Sequence, residues 1–194
     1  MIENIRFDQK THTYTTDDGT ILPSVTEITR FLAYDYKSSQ PWIAKAAAER
    51  GTRVHEACML IDYGEDLDDD PEISGYLKAY RRFLQDYSPD WQLIEFSLGS
   101  KVLGYAGTLD RYGILNGKVA IIDLKTGSQL YHSAVKAQLS GYFWLMANSQ
   151  YECPETLYAL RLDKSGVYEL VEESGGHKLF YACKIIHQET RRKK

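Results

Sequence analysis

The chain has 194 residues, a formal net charge of −4 and 26% charged side chains. That length suits one domain with a real core, and the charge content argues against both disorder and membrane residence. A net negative chain is not a general nucleic-acid coat, so any polyanion partner must be met by a local basic patch or through metal ions.

No apolar run reaches the length of a bilayer span. The N-terminal stretch from Met1 to Asp8 has neither an apolar signal core nor a transit pattern, so the expected location is cytoplasmic. Cys58, Cys153 and Cys183 lie far apart and form no Cys-x-x-Cys pair, which fits a reducing compartment and disfavours a zinc knot.

In chain order, residues 11–22 predict a small hairpin, with Thr11, Tyr14 and Thr15 before the turn Asp17-Asp18-Gly19 and Ile21-Leu22 after it. Ser24, followed three residues later by Glu27, predicts a capping box and a helix start. Residues 38–63 read as helix, with Gly51-Thr52 as a point where the helix breaks and restarts. Val54, Ala57, Cys58 and Ile61 form its apolar stripe, and His55 flanks that stripe. At this level His55 is either a packed, hydrogen-bonded residue or a ligand.

The acidic run from Asp62 to Glu72 reads as a solvated loop without EF-hand spacing. Ile73 to Tyr87 predicts an amphipathic helix with Lys78, Arg81 and Arg82 on its polar side. Trp91 to Leu98 alternates as a strand and carries Glu95, a third acid for any site beside the hairpin that follows.

That hairpin organises the chain. Asn116-Gly117 sits between Tyr105–Leu115 and Lys118–Leu124, and a tight turn there needs two positive φ angles. A regular two-residue turn pairs Leu115 with Lys118, Asp110 with Asp123 and Thr108 with Lys125; a bulge at Gly113 is what would shift this register. Opposed carboxylates with Cβ atoms roughly 4.5–5.5 Å apart repel unless a cation lies between them, and a hard divalent ion takes such oxygens. Lys125 shares the face of Asp123, as do Val119 and Ile121. Ala120, Ile122 and Leu124 point to the other side, so the strand is expected to be central and buried on both faces. His132–Asn148 then reads as a helix with Gln138 and Tyr142 one turn apart on one face. Strands are expected at Thr156–Leu162 and Val167–Val171, and a final helix from about His177 ends in the basic tail Arg191 to Lys194.

Four landmarks therefore stand in order: Gly51 to His55, Gly107 to Asp110, Asp123-Leu124-Lys125-Thr126-Gly127, and Gln138 to Tyr142. Together they resemble the RecB-like branch of the PD-(D/E)XK nuclease superfamily. The Pro23-Ser24-Val25-Thr26 element is similar to that of phage exonucleases and the mitochondrial genome maintenance exonuclease. The resemblance covers residues 20–145.

It implies an α/β (α+β) fold: a restriction-endonuclease-like αβββαβ core, a mixed sheet flanked by helices, and an N-terminal helical insertion. The expected organisation is one nuclease domain over 1–194, helical about 24–88, with the catalytic sheet about 91–172 and a C-terminal helix about 177–191. The resemblance assigns metal ligation to His55, Asp110, Asp123 and the carbonyl of Leu124, and water activation to Lys125. Gln138 and Tyr142 line the site, and Glu95 is a further assisting acid.

The implied cofactor is Mg²⁺ or Mn²⁺. An iron–sulfur cluster is rejected, because only three cysteines are present and they lack that spacing. The implied activity is a metal-dependent DNA exonuclease acting on single-stranded or free ends, in a bacterial or phage-infected cell, with recombination or replication proteins as partners. A helicase function would need such a partner, since no Walker motif is present. A structure-selective endonuclease with the same site, an inactive DNA-binding relative and a metal-binding regulatory protein are the alternatives. Arg81 and Arg82 are candidates for following a backbone, and Trp42, Tyr76 and Tyr80 for stacking on bases.

Overall fold

The computed structural model describes residues 5–32, 41–67 and 70–191. The first residues of the helix expected from 38, part of the acidic run, and Arg192 to Lys194 of the basic tail lie outside the described residues.

A small antiparallel sheet opens the fold: β1 (Ile5–Asp8), β2 (Thr13–Thr16) and β3 (Ile21–Leu22), in that order. The β2–β3 hairpin is the one the turn residues predict, with Gly19 at a positive φ of 85°. Strand β1 was not anticipated, because four residues carry too short an alternation to read. Helix α1 (Val25–Thr29) starts where expected, and the Ser24 hydroxyl accepts from the Glu27 N–H. The Glu27 carboxylate does not close a capping box; it accepts instead from His187 and Arg191 of the last helix. Helix α2 (Pro41–Asp62) runs unbroken through Gly51-Thr52, contrary to the expected restart. A Cβ at Gly51 would meet the Thr126 hydroxyl at 3.4 Å, an ordinary contact, so the glycine neither breaks the helix nor is demanded by packing. Helix α3 is Ser74–Tyr87.

The main sheet has five strands in the order β4 (Asp90–Ser100), β5 (Tyr105–Leu115), β6 (Lys118–Lys125), β7 (Thr156–Leu162) and β8 (Tyr168–Glu172). All neighbours are antiparallel except β6 and β7. That parallel pair needs a crossover, which helix α4 (His132–Ala147) supplies. Helix α5 (His177–Arg191) closes the chain. The fold is thus mixed α+β, with helices on both faces of a mixed sheet, and α2–α3, β4–β5–β6, α4 and β7 follow the implied αβββαβ order.

The organising hairpin has the expected turn, with φ of 53° at Asn116 and 76° at Gly117. Its register runs from Leu115–Lys118 through Gly113–Ala120 to Arg111–Ile122 without a slip. Irregularity falls instead on β4, between Trp91 and Leu93, opposite Gly113. Gly113 is required there, because an added Cβ would sit 2.1 Å from the Asp90 carbonyl oxygen.

Strand β6 is central and buried on both faces. Val119 and Ile121 pack with Val135, Leu139 and Tyr142 of α4 and with Phe180 of α5. Ala120, Ile122 and Leu124 pack with Val54 and Cys58 of α2 and with Tyr80 and Phe83 of α3. This settles three candidate residues. Tyr76 and Tyr80 belong to the second core and present no face for stacking, whereas Trp42 is 66% exposed. Arg81 and Arg82 are exposed on α3, and Arg82 pairs with Asp86.

One polar group penetrates the α2–α3 side of the sheet. Arg111 is fully buried, donating from Nε to Asp62 (2.6 Å) and from Nη1 to Glu95 (3.1 Å) and the Asp110 carbonyl (2.7 Å). Asp62 also accepts from Tyr80 and from the Trp91 indole, and so ties α2 to α3 and β4. Removing one partner of a buried ion pair leaves the other charge uncompensated. Arg111→Met should therefore lose about 3–5 kcal/mol of unfolding free energy in urea titrations, and adding Asp62→Leu should restore part of it. Additive losses in the double variant would contradict the pairing.

Candidate functional site

The hairpin ladder ends one step before the two aspartates. Arg111–Ile122 is its last pair, which leaves Asp110 and Asp123 next in line. The ladder stops because the Asp110 carboxylate takes the Leu124 N–H (2.6 Å), a backbone donor that would otherwise face β5. The expected Thr108–Lys125 pairing is accordingly not made. Lys125 lies beside Arg161 of β7, while the Thr108 hydroxyl meets Ser97 (2.6 Å) and Tyr14 (2.9 Å). The site thus sits at the C-terminal end of β6, where the sheet opens between its antiparallel and parallel neighbours.

Two side chains, His55 and Glu95, converge on Asp110. His55 Nδ1, from α2, is 3.5 Å from Asp110 Oδ1 and 3.6 Å from Glu95 Oε1. One ligand atom each from His55, Glu95 and Asp110 all lie within 4.8 Å of one another, spacing suited to a metal ion. Glu95 gets there by an unusual route. Its neighbours Ile94 and Phe96 pair with Arg111 and Leu109, which puts it opposite Asp110. Its own φ is 46°, a left-handed conformation that non-glycine residues in strands seldom adopt. Such strain clusters at functional positions, where surrounding contacts hold it; here the contact is Arg111.

Asp123 has a separate set of partners. It ion-pairs with Lys125, and its Oδ1 accepts from Gln138 Nε2 (2.9 Å). The same Gln138 amide accepts from Lys125 Nζ (3.1 Å), and its Nε2 also reaches the Tyr142 hydroxyl (3.2 Å). Gln138 therefore clamps carboxylate and ammonium together from the crossover helix. Tyr142 packs against β5 so closely that a Cβ at Gly107 would be 2.7 Å from its ring. Val25 fills the space beside both Gly107 and Gly141, and the Pro23 carbonyl accepts from Ala106 N–H; this gives the Pro23-Ser24-Val25 element its place.

Electrostatics follow from burial. Burial alone would strip the proton from His55, but Asp110 and Glu95 outweigh it and push His55 up to about 10. Asp110 feels a large burial penalty, yet His55, Lys125 and the Leu124 N–H together hold it below the ordinary carboxylate range. Asp123, 1% exposed, is pushed up to about 6 by burial, reinforced by Asp110 and only partly offset by Lys125. Burial also raises the Tyr142 phenol well above its usual value, with Asp123 and Asp110 adding to it. The two aspartates are thus held in opposite directions, Asp110 below and Asp123 above the ordinary carboxylate range.

All eight residues singled out in the sequence meet here. His55, Glu95 and Asp110 form one group; Asp123, Lys125, Gln138 and Tyr142 form the next; the Leu124 backbone joins them. Sequence reasoning missed Arg111 and Asp62. An arginine inside an otherwise buried strand was the available signal for the first.

The site lies in a cleft of 1760 Å³ lined by α2, the small N-terminal sheet, α1 and the loop after β6. No protein-family model matches the chain, and no curated protein matches it in sequence. Among solved structures, one titled "Crystal structure of SSO0001" aligns over 72% of this chain and 85% of that chain, at 12% identity and a TM-score of 0.36, too distant to bear on function. Among the described residues, no helix is long and apolar enough to cross a membrane.

The Asp123 shift has a stability consequence. A carboxyl whose folded pKa lies above its unfolded value favours folding fully below the unfolded pKa, and that contribution is lost as pH rises through the folded pKa. In EDTA, Asp123→Asn should therefore gain on wild type as pH rises from about 4 to about 8, by about 3 kcal/mol for a carboxyl pushed up to about 6. Denaturant titrations in EDTA across that range measure it, and a pH-independent difference would contradict the assignment.

Proposed function

We propose that this protein is a metal-dependent nuclease that hydrolyses phosphodiester bonds in DNA, with the RecB-like resemblance as its family reading. The observation that carries the proposal is the convergence of His55, Glu95 and Asp110 beside the clamped Asp123–Lys125 pair at the end of one central strand. The donor set, one imidazole and carboxylates, suits Mg²⁺ or Mn²⁺. His55, Glu95 and Asp110 would hold such an ion, with Asp123 and the Leu124 carbonyl adjacent. When bound, the ion supplies a lowered pKa for water and charge neutralisation at the phosphate.

The chain's own residues have distinct tasks. Lys125 presents a fixed positive charge to the scissile phosphate and the incoming oxygen, and an ammonium has no lone pair with which to ligate a metal. Gln138 positions Lys125 and Asp123 relative to each other through one amide. Arg111 holds Glu95 in its strained conformation from below. Arg30 and Arg50 line the same cleft and offer local positive charge in an otherwise acidic protein.

Asp110→Ala and Asp123→Ala should each abolish nearly all cleavage while the fold persists, and EDTA should do the same to wild type. Lys125→Ala should lower kcat by about 10²–10³-fold and leave metal affinity similar or tighter, as read by calorimetry. Loss of metal binding together with activity would assign Lys125 a different role.

Exonuclease action on single strands is the substrate reading, supported by the likeness of Pro23 to Thr26 to phage exonucleases and by the placing of that element in the wall of the cleft through Ser24 and Thr26. A covalently closed single-stranded circle should then resist, while the linear strand of the same sequence is degraded, more slowly as salt rises. Rapid cutting of the circle would make the enzyme an endonuclease.

A further inference from the structure

One wall of the cleft is aromatic. Phe7 of β1 and Tyr14 of β2 stack with ring centroids 4.5 Å apart and planes 25° from parallel. His12, in the turn between them, stands edge-on to both at 5.2 and 5.8 Å. All three rings line the cleft that holds Asp110 and Lys125.

The three are not equivalent. Tyr14 is buried, and its hydroxyl meets Thr108, two residues along β5 from Asp110. At about 3.3 Å per strand residue that anchor is about 7 Å from the aspartate along the backbone. Phe7 is half-buried and His12 is exposed. His12 also has a φ of 51°, left-handed for a non-glycine residue, and its ring packs on the Phe7–Tyr14 stack. The neighbouring Gln9 donates to Glu56, the residue after His55, which ties this hairpin to α2 beside the candidate metal ligands. From α2, Ile43, Ala44 and Ala47 add apolar lining to the same cleft.

An aromatic ring face held next to a hydrolytic centre recognises the face of a planar base and reads no hydrogen-bonding pattern. We propose that Phe7 and His12, backed by Tyr14, form a stacking platform for the bases of an unpaired nucleic-acid strand whose phosphate is presented to the Asp110–Lys125 site. Bases in a duplex already stack on one another and have no free face, so the platform selects single strands without sequence preference. This inference rests on the nuclease reading above.

The test uses full-length protein in EDTA, so that nothing is cleaved, and fluorescence anisotropy with three labelled probes of equal length: oligothymidylate, oligouridylate and an abasic deoxyribose-phosphate strand. The abasic strand keeps the phosphates and lacks the rings. Wild type should bind the base-bearing strands about 5- to 50-fold more tightly than the abasic one, as expected for one or two stacked bases; the thymidylate and uridylate arms separate DNA from RNA.

Phe7→Leu keeps the apolar packing of β1 without an aromatic face, and His12→Ala changes an exposed ring. Each should shrink the preference over the abasic strand several-fold, the pair should abolish it, and abasic affinity should stay constant. Thermal melts of both variants check that the small sheet is retained. An undiminished preference in folded variants would overturn the platform while leaving the nuclease reading intact. Absence of cleavage by wild type with Mg²⁺ or Mn²⁺ would overturn the nuclease reading, and the platform with it.

Discussion

Buried negative charge at the end of the central strand is the constraint around which this protein is arranged. Asp110 and Asp123 are brought together by the register of one hairpin and are almost removed from water. Carboxylates in that position repel and are poorly solvated, and a fold tolerates them only with close compensation. Each surrounding element delivers some of it: His55 from α2, Lys125 from β6, the Gln138 amide from α4, and a backbone N–H from Leu124. The compensation is incomplete for Asp123, which is pushed up to about 6.

A second buried charge cluster lies directly beneath the first. Arg111 alternates with Asp110 along β5 and faces the opposite core, where Asp62, Tyr80 and Trp91 surround it. Through Glu95 it reaches back to the upper side, so the left-handed residue in β4 is held from both faces of the sheet. This links stability to site geometry: the helices that pack the lower core also fix the conformation of an acid in the site.

The small N-terminal sheet has a comparable double role. Tyr14 and Leu22 pack it onto Ala106, and the Tyr14 hydroxyl joins Thr108 and Ser97 in a chain of hydroxyls that links β2 to β5 and β4. Pro23, Ser24 and Val25 then insert beside Gly107 and Gly141, where larger residues would clash with Tyr142 and Phe180. Glycines and small hydroxyls therefore determine how closely the N-terminal segment, β5 and α4 approach one another, and hence the width of the cleft.

The sequence by itself determined the hairpin, its turn, the adjacency of Asp110 and Asp123, the two-faced burial of β6 and the shared face of Gln138 and Tyr142. These are local matters, decided by turn chemistry and by periods of 2 and 3.6 residues. It also determined that His55, Glu95 and Lys125 were candidates, though not which of them would meet. Only the tertiary structure decided that His55 and Glu95 join Asp110 while Gln138 clamps Lys125 to Asp123, because those contacts depend on how α2 and α4 pack on the sheet and on the register of β4 with β5. It likewise decided that α2 runs unbroken through Gly51, that Tyr76 and Tyr80 are core, and that Phe7 and His12 line the cleft. An aromatic residue looks the same in a sequence whether it faces a core or a groove. Its neighbours in space make the difference, and they come from segments far away along the chain.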